Sequence, residues 1–175
     1  EASDPEIRQE VERLLAYADS AGTQWWANYV YAHATDQVAG ATVARSWDQR
    51  HAAQVGVARE SGRWDFGAVL SYHSGWATTG LTLQQSAAGT TTAVIGPRNA
   101  QRLGSYSSLD LRANRRVPLR VGALDMFVEI SNATNRENPC CADFDIEQDG
   151  NGFSLEQEAD TWLPRLATFG VRWQF

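Results

Sequence analysis

The sequence predicts an all-β fold, an antiparallel up-and-down transmembrane β-barrel segment, from three observations: a final strand with one apolar face, the same alternation upstream, and links that are short and long in turn. Counting back from the end in steps of two meets Phe175, Trp173, Val171, Phe169 and Ala167, while Gln174, Arg172, Gly170 and Thr168 lie between them. A period of two belongs to a strand. A large apolar side chain at a chain end gains little in an ordinary domain, where termini fray, but it suits a strand whose outer face meets lipid.

The opening stretch reads in two ways. Ser3, Asp4, Pro5 and Glu6 form a helix start, and Ile7, Val11, Leu14 and Leu15 follow at helical spacing. Residues 12–18 with the turn formers from Asp19 to Gly22 read instead as a strand and tight turn. The two combine if residues 1–10 are helix or loop and a strand follows. Beyond them, Trp25, Ala27, Tyr29 and Tyr31 share a face, as do Ala53, Val55 and Val57 more weakly, then Trp64, Phe66, Ala68, Leu70 and Tyr72. Leu109, Leu111 and Ala113 continue the pattern, followed by Leu124, Met126, Val128 and Ile130. With the final strand these make about six or seven segments near the roughly 9 to 11 residues of a tilted membrane strand.

The links between them alternate. Short ones fall at residues 19–23, 60–62 and 117–119, and long ones at about residues 37–47, 75–105 and 133–164. Tight turns therefore gather at one end of the sheet and big loops at the other, the asymmetry of outer-membrane barrels with short periplasmic turns and long extracellular loops. Asp110, Arg112, Asp125 and Glu129 face away from the apolar side, as cross-strand charges in a polar lumen would.

Composition narrows the function classes. The chain has 175 residues, 15 basic against 21 acidic, and a net charge of -6, which argues against a nucleic-acid partner. No stretch approaches 18 consecutive apolar residues, so a helical membrane span is excluded. Cys140 and Cys141 are adjacent and do not make a disulfide framework of the small secreted kind.

Several motifs together, in their order and spacing, carry a family resemblance. They are Arg45 to His51, Ser71 to Gly75, Arg98-Asn99 with Tyr106 and Leu109 to Arg112, Glu129 to Asn135, Leu163 to Arg165, and Gly170 to Phe175. From about Trp25 onward the chain resembles the C-terminal barrel strands of TonB-dependent outer-membrane receptors. That resemblance implies a 22-stranded barrel around a plug, placed in the cell outer membrane. It implies active uptake of scarce nutrients such as iron-siderophore complexes or cobalamin, energised through TonB. The implied partners are outer-membrane lipid, the TonB complex acting on a plug absent here, a small-molecule nutrient complex, and the barrel assembly machinery. Phe169, Val171, Trp173 and Phe175 resemble the assembly signal which that machinery reads. Residues 1–175 would then be the last third or so of a barrel, with at least one strand upstream. The alternative is a small self-contained β-barrel binding protein, in the outer membrane or a soluble ligand carrier, with extra strands hidden in residues 78–95.

Little in the chain points to catalysis, and the expectation is a non-enzyme with no cofactor. His33, His51 and His73 share no ligand spacing. Glu147, Asp149, Asn151 and Glu158 sit at positions 1, 3, 5 and 12 of a weak calcium-loop match, with Gly152 at position 6; position 1 should be Asp, and Ser154 replaces an apolar residue. Asp48, Arg50, Asp110, Arg112 and Arg116 read as an ion-pair lattice, and Trp76, Arg98, Asn99 and Arg102 as the ligand-facing part of the long loops.

Overall fold

The computed structural model describes residues 5–87, 89–149 and 152–175. Its strands in chain order are β1 (Pro5–Ala18), β2 (Thr23–Val38), β3 (Ala41–Ala44), β4 (His51–Ser61), β5 (Trp64–His73), β6 (Ala77–Thr78) and β7 (Leu81–Gln85). They continue with β8 (Thr91–Ile95), β9 (Gln101–Arg102), β10 (Tyr106–Pro118), β11 (Ala123–Ser131), β12 (Pro139–Asp149), β13 (Gly152–Thr161) and β14 (Leu166–Gln174). The main sheet runs β1-β2-β4-β5-β10-β11-β14 with β3 added on β2, and the pairs β6-β9, β7-β8 and β12-β13 stand apart as small sheets.

Local chemistry sets the turns. Asp19 Oδ1 accepts from the Ala21 and Thr23 amides at 2.9 and 2.8 Å, closing the β1–β2 turn before Gly22. Ala39 and Gly40 both take positive φ, 49° and 80°, the backbone of a type I′ hairpin between β2 and β3. The long links are built differently. They fold into hairpins of their own, which is where β3, β7 with β8, and β12 with β13 arise.

Register carries one apolar rung across all seven main strands: Tyr17, Trp25, Val57, Ala68, Leu111, Ile130 and Ala167 stand in line. On the opposite face lie Arg112 beside Glu129 and Arg116 beside Asp125. Among the described residues nothing is stacked on either side. Among the described residues the buried apolar side chains are Ala77 and Ala123, while Val55, Phe66, Leu70, Val128 and Trp173 are exposed. Two glycines lie beneath aromatic rings on the polar face. A Cβ on Gly56 would strike the Trp26 indole, and one on Gly170 would strike the Phe127 ring.

The barrel is not formed. β1 and β14 are the sheet's two edges, and the order between them is open. Successive neighbours are all antiparallel, so with seven strands β1 and β14 run the same way. Joining them would put one parallel pair into an antiparallel sheet, which hydrogen-bonds differently. The self-contained barrel fails as well, because β7 and β8 pair with each other and add nothing to the main sheet. At the N-terminus, residues 5–10 belong to strand β1, where helix or loop is expected from sequence, and residues 1–4 lie outside the described ones. Pairing with β2 from Pro5 onward overrides the local helical spacing.

Gly170→Ala must displace the Phe127 ring, which on an uncovered face can swing aside, so the cost falls below the roughly 1–3 kcal/mol of an overpacked core. We expect a lower urea midpoint for Gly170→Ala and no comparable loss for Gly40→Asn, where no neighbour stands in the way and Asn tolerates positive φ.

Candidate functional site

Two surfaces stand out, the uncovered apolar face and the loop end of the sheet. The most buried side chains are polar and gather at the loop end: Asp48, Ser108, Asn132 and Asn138. Asp48 has a fully buried carboxylate that accepts from the Ala34 amide at 2.8 Å and pairs with Arg102, with Arg50 Nε at 3.9 Å. Arg102 also donates to the Asp48 and Gly75 carbonyls at 3.0 Å each. One guanidinium therefore binds three elements, the segment before β4, the segment before β6, and β9.

A second clamp holds the segment after β11. Asn138 accepts from the Ser107 amide at 2.8 Å and donates to the Ser107 carbonyl at 2.9 Å, as a paired strand residue would. Asp110 Oδ1 accepts from the Ser108 hydroxyl at 2.7 Å and the Asn132 amide at 2.8 Å. Buried polar groups that find all their partners rigidify the segments they join.

Over these clamps lies an aromatic cluster. His73 stacks between Trp76 and Tyr106 at 4.9 and 4.8 Å, and Trp76 meets Trp47 and Trp162 edge-on at 4.5 and 6.2 Å. Trp47 is two-thirds exposed and takes φ of 69°, a strained backbone for a bulky residue. Among the described residues, the Trp76 indole N–H is the buried side-chain polar group left without a hydrogen-bond partner.

The residues singled out from sequence fall as follows. Trp76 is in the aromatic cluster, Arg102 holds Asp48, and Asn99 donates to the Ala44 carbonyl at 2.7 Å and to Ser46 Oγ at 3.2 Å. Arg98 is exposed beside them. Asp48 and Arg50 meet at the loop end, whereas Arg112 pairs with Glu129 at 2.8 Å and Arg116 with Asp125 at 3.8 Å on the sheet's polar face. Asp110 serves as a hydrogen-bond acceptor in the clamp. Trp47 and Asn132 fall within the stretches Arg45 to His51 and Glu129 to Asn135 that carry the family resemblance but are not singled out there as site residues, and Asn138 is passed over altogether. In the calcium-loop candidate, Glu147 faces Ser154 and Glu158 faces Asp143 across the β12–β13 hairpin. Asn151 and the side chain of Asp149 lie outside the described residues, and among those described no cluster of His, Cys, Asp or Glu could hold a metal ion. His51 Nδ1 lies 2.7 Å from the Tyr29 hydroxyl, and His73 Nδ1 lies 2.9 Å from the Ser74 carbonyl.

Cys140 and Cys141 are free thiols with sulfurs 2.6 Å apart. The hydrogen bond to Cys141 pushes the Cys140 thiol up to about 11. A thiol alkylates as its thiolate. We expect iodoacetamide labelling of Cys140 to keep accelerating through pH 9 and to level off near pH 11, with the earlier plateau of an ordinary thiol restored in Cys141→Ala, which has no hydrogen-bonding side chain. Arg102→Ala leaves Asp48 buried with only its weaker neighbour, a loss on the order of 3 kcal/mol. Hydrogen exchange at the Ala34 and Leu103 amides should accelerate in that variant while the centres of β5 and β10 keep their protection.

The finished geometry also corrects the wider expectation drawn from sequence. An open sheet with two edges encloses no lumen, so it provides no wall for a transport path and no seat for a plug. Nutrient uptake, coupling to TonB, the outer-membrane location, lipid, the nutrient ligand and the assembly machinery were implied by the resemblance to a barrel family, and an open sheet that is no part of a barrel removes their ground. Phe169, Val171, Trp173 and Phe175 instead form the outermost row of the exposed apolar face. No helix among the described residues is long and apolar enough to cross a membrane, an observation that does not bear on strands. The resemblance to TonB-dependent receptors gains no support from comparison: no family model, no curated protein and no solved structure matches this chain.

Proposed function

We propose that the chain is a non-catalytic assembly module, an open β-sheet whose apolar face is covered by the apolar face of a second β-sheet on a partner polypeptide. One observation carries this reading, the apolar rung that crosses seven strands with nothing stacked upon it among the described residues. Sheets become stable by burying such a face in a second layer. Seven strands at about 4.8 Å spacing and nine residues at about 3.3 Å each give a surface of roughly 900 Å². That is close to the roughly 800 Å² that each partner contributes to an ordinary stable interface. Between Phe66, Leu111 and Val128 the small side chains of Ala68 and Ala113 leave an apolar depression of about 380 Å³, a shape into which opposing side chains can interdigitate. The non-catalytic part of the reading is supported by the loop end, where the buried ionisable and amide groups bind the loops to one another.

The test is sedimentation of the chain across a concentration series with a dye that binds exposed apolar surface. The unmodified chain should bind dye and associate with concentration, while Val57→Ser with Leu70→Ser and Val128→Ser should weaken both by about tenfold or more and keep the β circular dichroism. A dye-silent monomer would overturn the proposal. So would partition of the unmodified chain into zwitterionic vesicles in place of self-association, since lipid would then be the covering surface.

A further inference from the structure

We infer that the free edge of β14 is a strand-addition site for an antiparallel partner strand that carries an acidic residue opposite Arg172 between two apolar ones. This rests on the assembly reading and names the chemistry of the partner at one edge.

The two edges of the sheet differ in how they resist pairing. The sequence of β1 carries Glu6, Arg8, Glu10, Glu12 and Arg13, and its register with β2 breaks between Arg8 and Val11. Charges and bulges are what keep an edge strand from recruiting another. β14 has neither protection. Its nine residues pair with β11 in unbroken register from Leu166 to Gln174, with Arg172 as their one charge. Phe169 and Val171 are 84% and 62% exposed there, against 36% for Leu111 at the sheet centre, because no neighbour lies beyond them.

The polar face indicates what the neighbour must carry. Arg116 on β10, Asp125 on β11 and Arg172 on β14 stand on one rung, so charge alternates in sign from strand to strand. Arg116 lies 3.8 Å from Asp125, and among the described residues the Arg172 side chain makes no ion pair or hydrogen bond. Opposite charges facing each other on adjacent strands are favourable and like charges are not. The next position on that rung is therefore acidic. The polar face beside Arg172 is uncovered, with a depression of about 580 Å³ on its inner side bounded by Arg112, Arg116, Asp125, Phe127, Arg172 and Gln174. Flanking residues of the incoming strand fall opposite Val171 and Trp173 on the apolar side, which makes them apolar. The donor is not β1 of the same chain, since β1 runs in the same direction as β14.

The test uses the full chain and two synthetic nine-residue peptides that alternate Val and Thr, one with a central Glu and the other with Lys in its place. Hydrogen exchange read at each β14 amide, with Trp173 fluorescence for affinity, should show outward amides protected by the Glu peptide and at least tenfold weaker binding of the Lys peptide. Arg172→Glu should reverse that preference, and Arg172→Gln should abolish it with the β circular dichroism intact. Protection on β1 instead, equal binding of both peptides, or an unchanged preference in the two variants would overturn the inference. Protection of β14 that rises with protein concentration and resists displacement by the Glu peptide would also overturn it, because a second copy would then be the occupant. The two proposals fail separately: a dye-silent monomer that still takes the Glu peptide removes the covered face and leaves the edge, whereas an associating chain that ignores both peptides does the reverse.

Discussion

Everything in this molecule depends on an antiparallel ladder that stands as one layer. With apolar burial limited to Ala77 and Ala123 among the described residues, cohesion comes from strand-to-strand hydrogen bonds and from side chains meeting across neighbouring strands. Each such cross-strand pair contributes only about 0.2–1 kcal/mol, so no single contact dominates. The ladder sets both faces at once. Because side chains alternate, the register that aligns Tyr17 through Ala167 on one side also aligns Arg116, Asp125 and Arg172 on the other.

The two ends of the sheet solve different problems. At the tight-turn end, Asp19, Gly22, Gly62 and Gly122 supply the backbone needed to reverse direction within a few residues. At the other end the chain must cover longer distances, and it does so with small hairpins tied down by buried polar groups. Asp48 with Arg102, and Asn138 with Ser107, take the place that apolar side chains occupy in a layered domain. Such groups lower the energy only when their hydrogen bonds are complete, so removing one partner costs more than the bond itself contributes. That end is consequently rigid, while the apolar face is open.

Much of the main sheet was legible in the sequence. The alternating runs beginning near Trp25, Ala53, Trp64, Leu109, Leu124 and Ala167 correspond to β2, β4, β5, β10, β11 and β14. The start of β1 was not, because Ile7, Val11, Leu14 and Leu15 fall at a helical spacing that pairing with β2 overrides. The loop strands differ: β3, β6 and β9 are too short for a period to show, β7 and β8 fall within residues 78–95 where extra strands were expected, and the longer β12 and β13 lie in a polar stretch without a continuous apolar face. The candidate site was less legible still. Arg102 meets Asp48 across 54 positions and Asn138 meets Ser107 across 31, and no local pattern encodes a partner at that distance.

Taken alone, the sequence determined which residues share a face. A period of two follows from the geometry of each strand's own backbone, so it can be read wherever polar and apolar side chains alternate. Only the tertiary structure decided whether the sheet closes. Closure depends on the number, direction and stagger of strands distant in sequence. With seven of them antiparallel in unbroken order, β1 and β14 run the same way and remain edges.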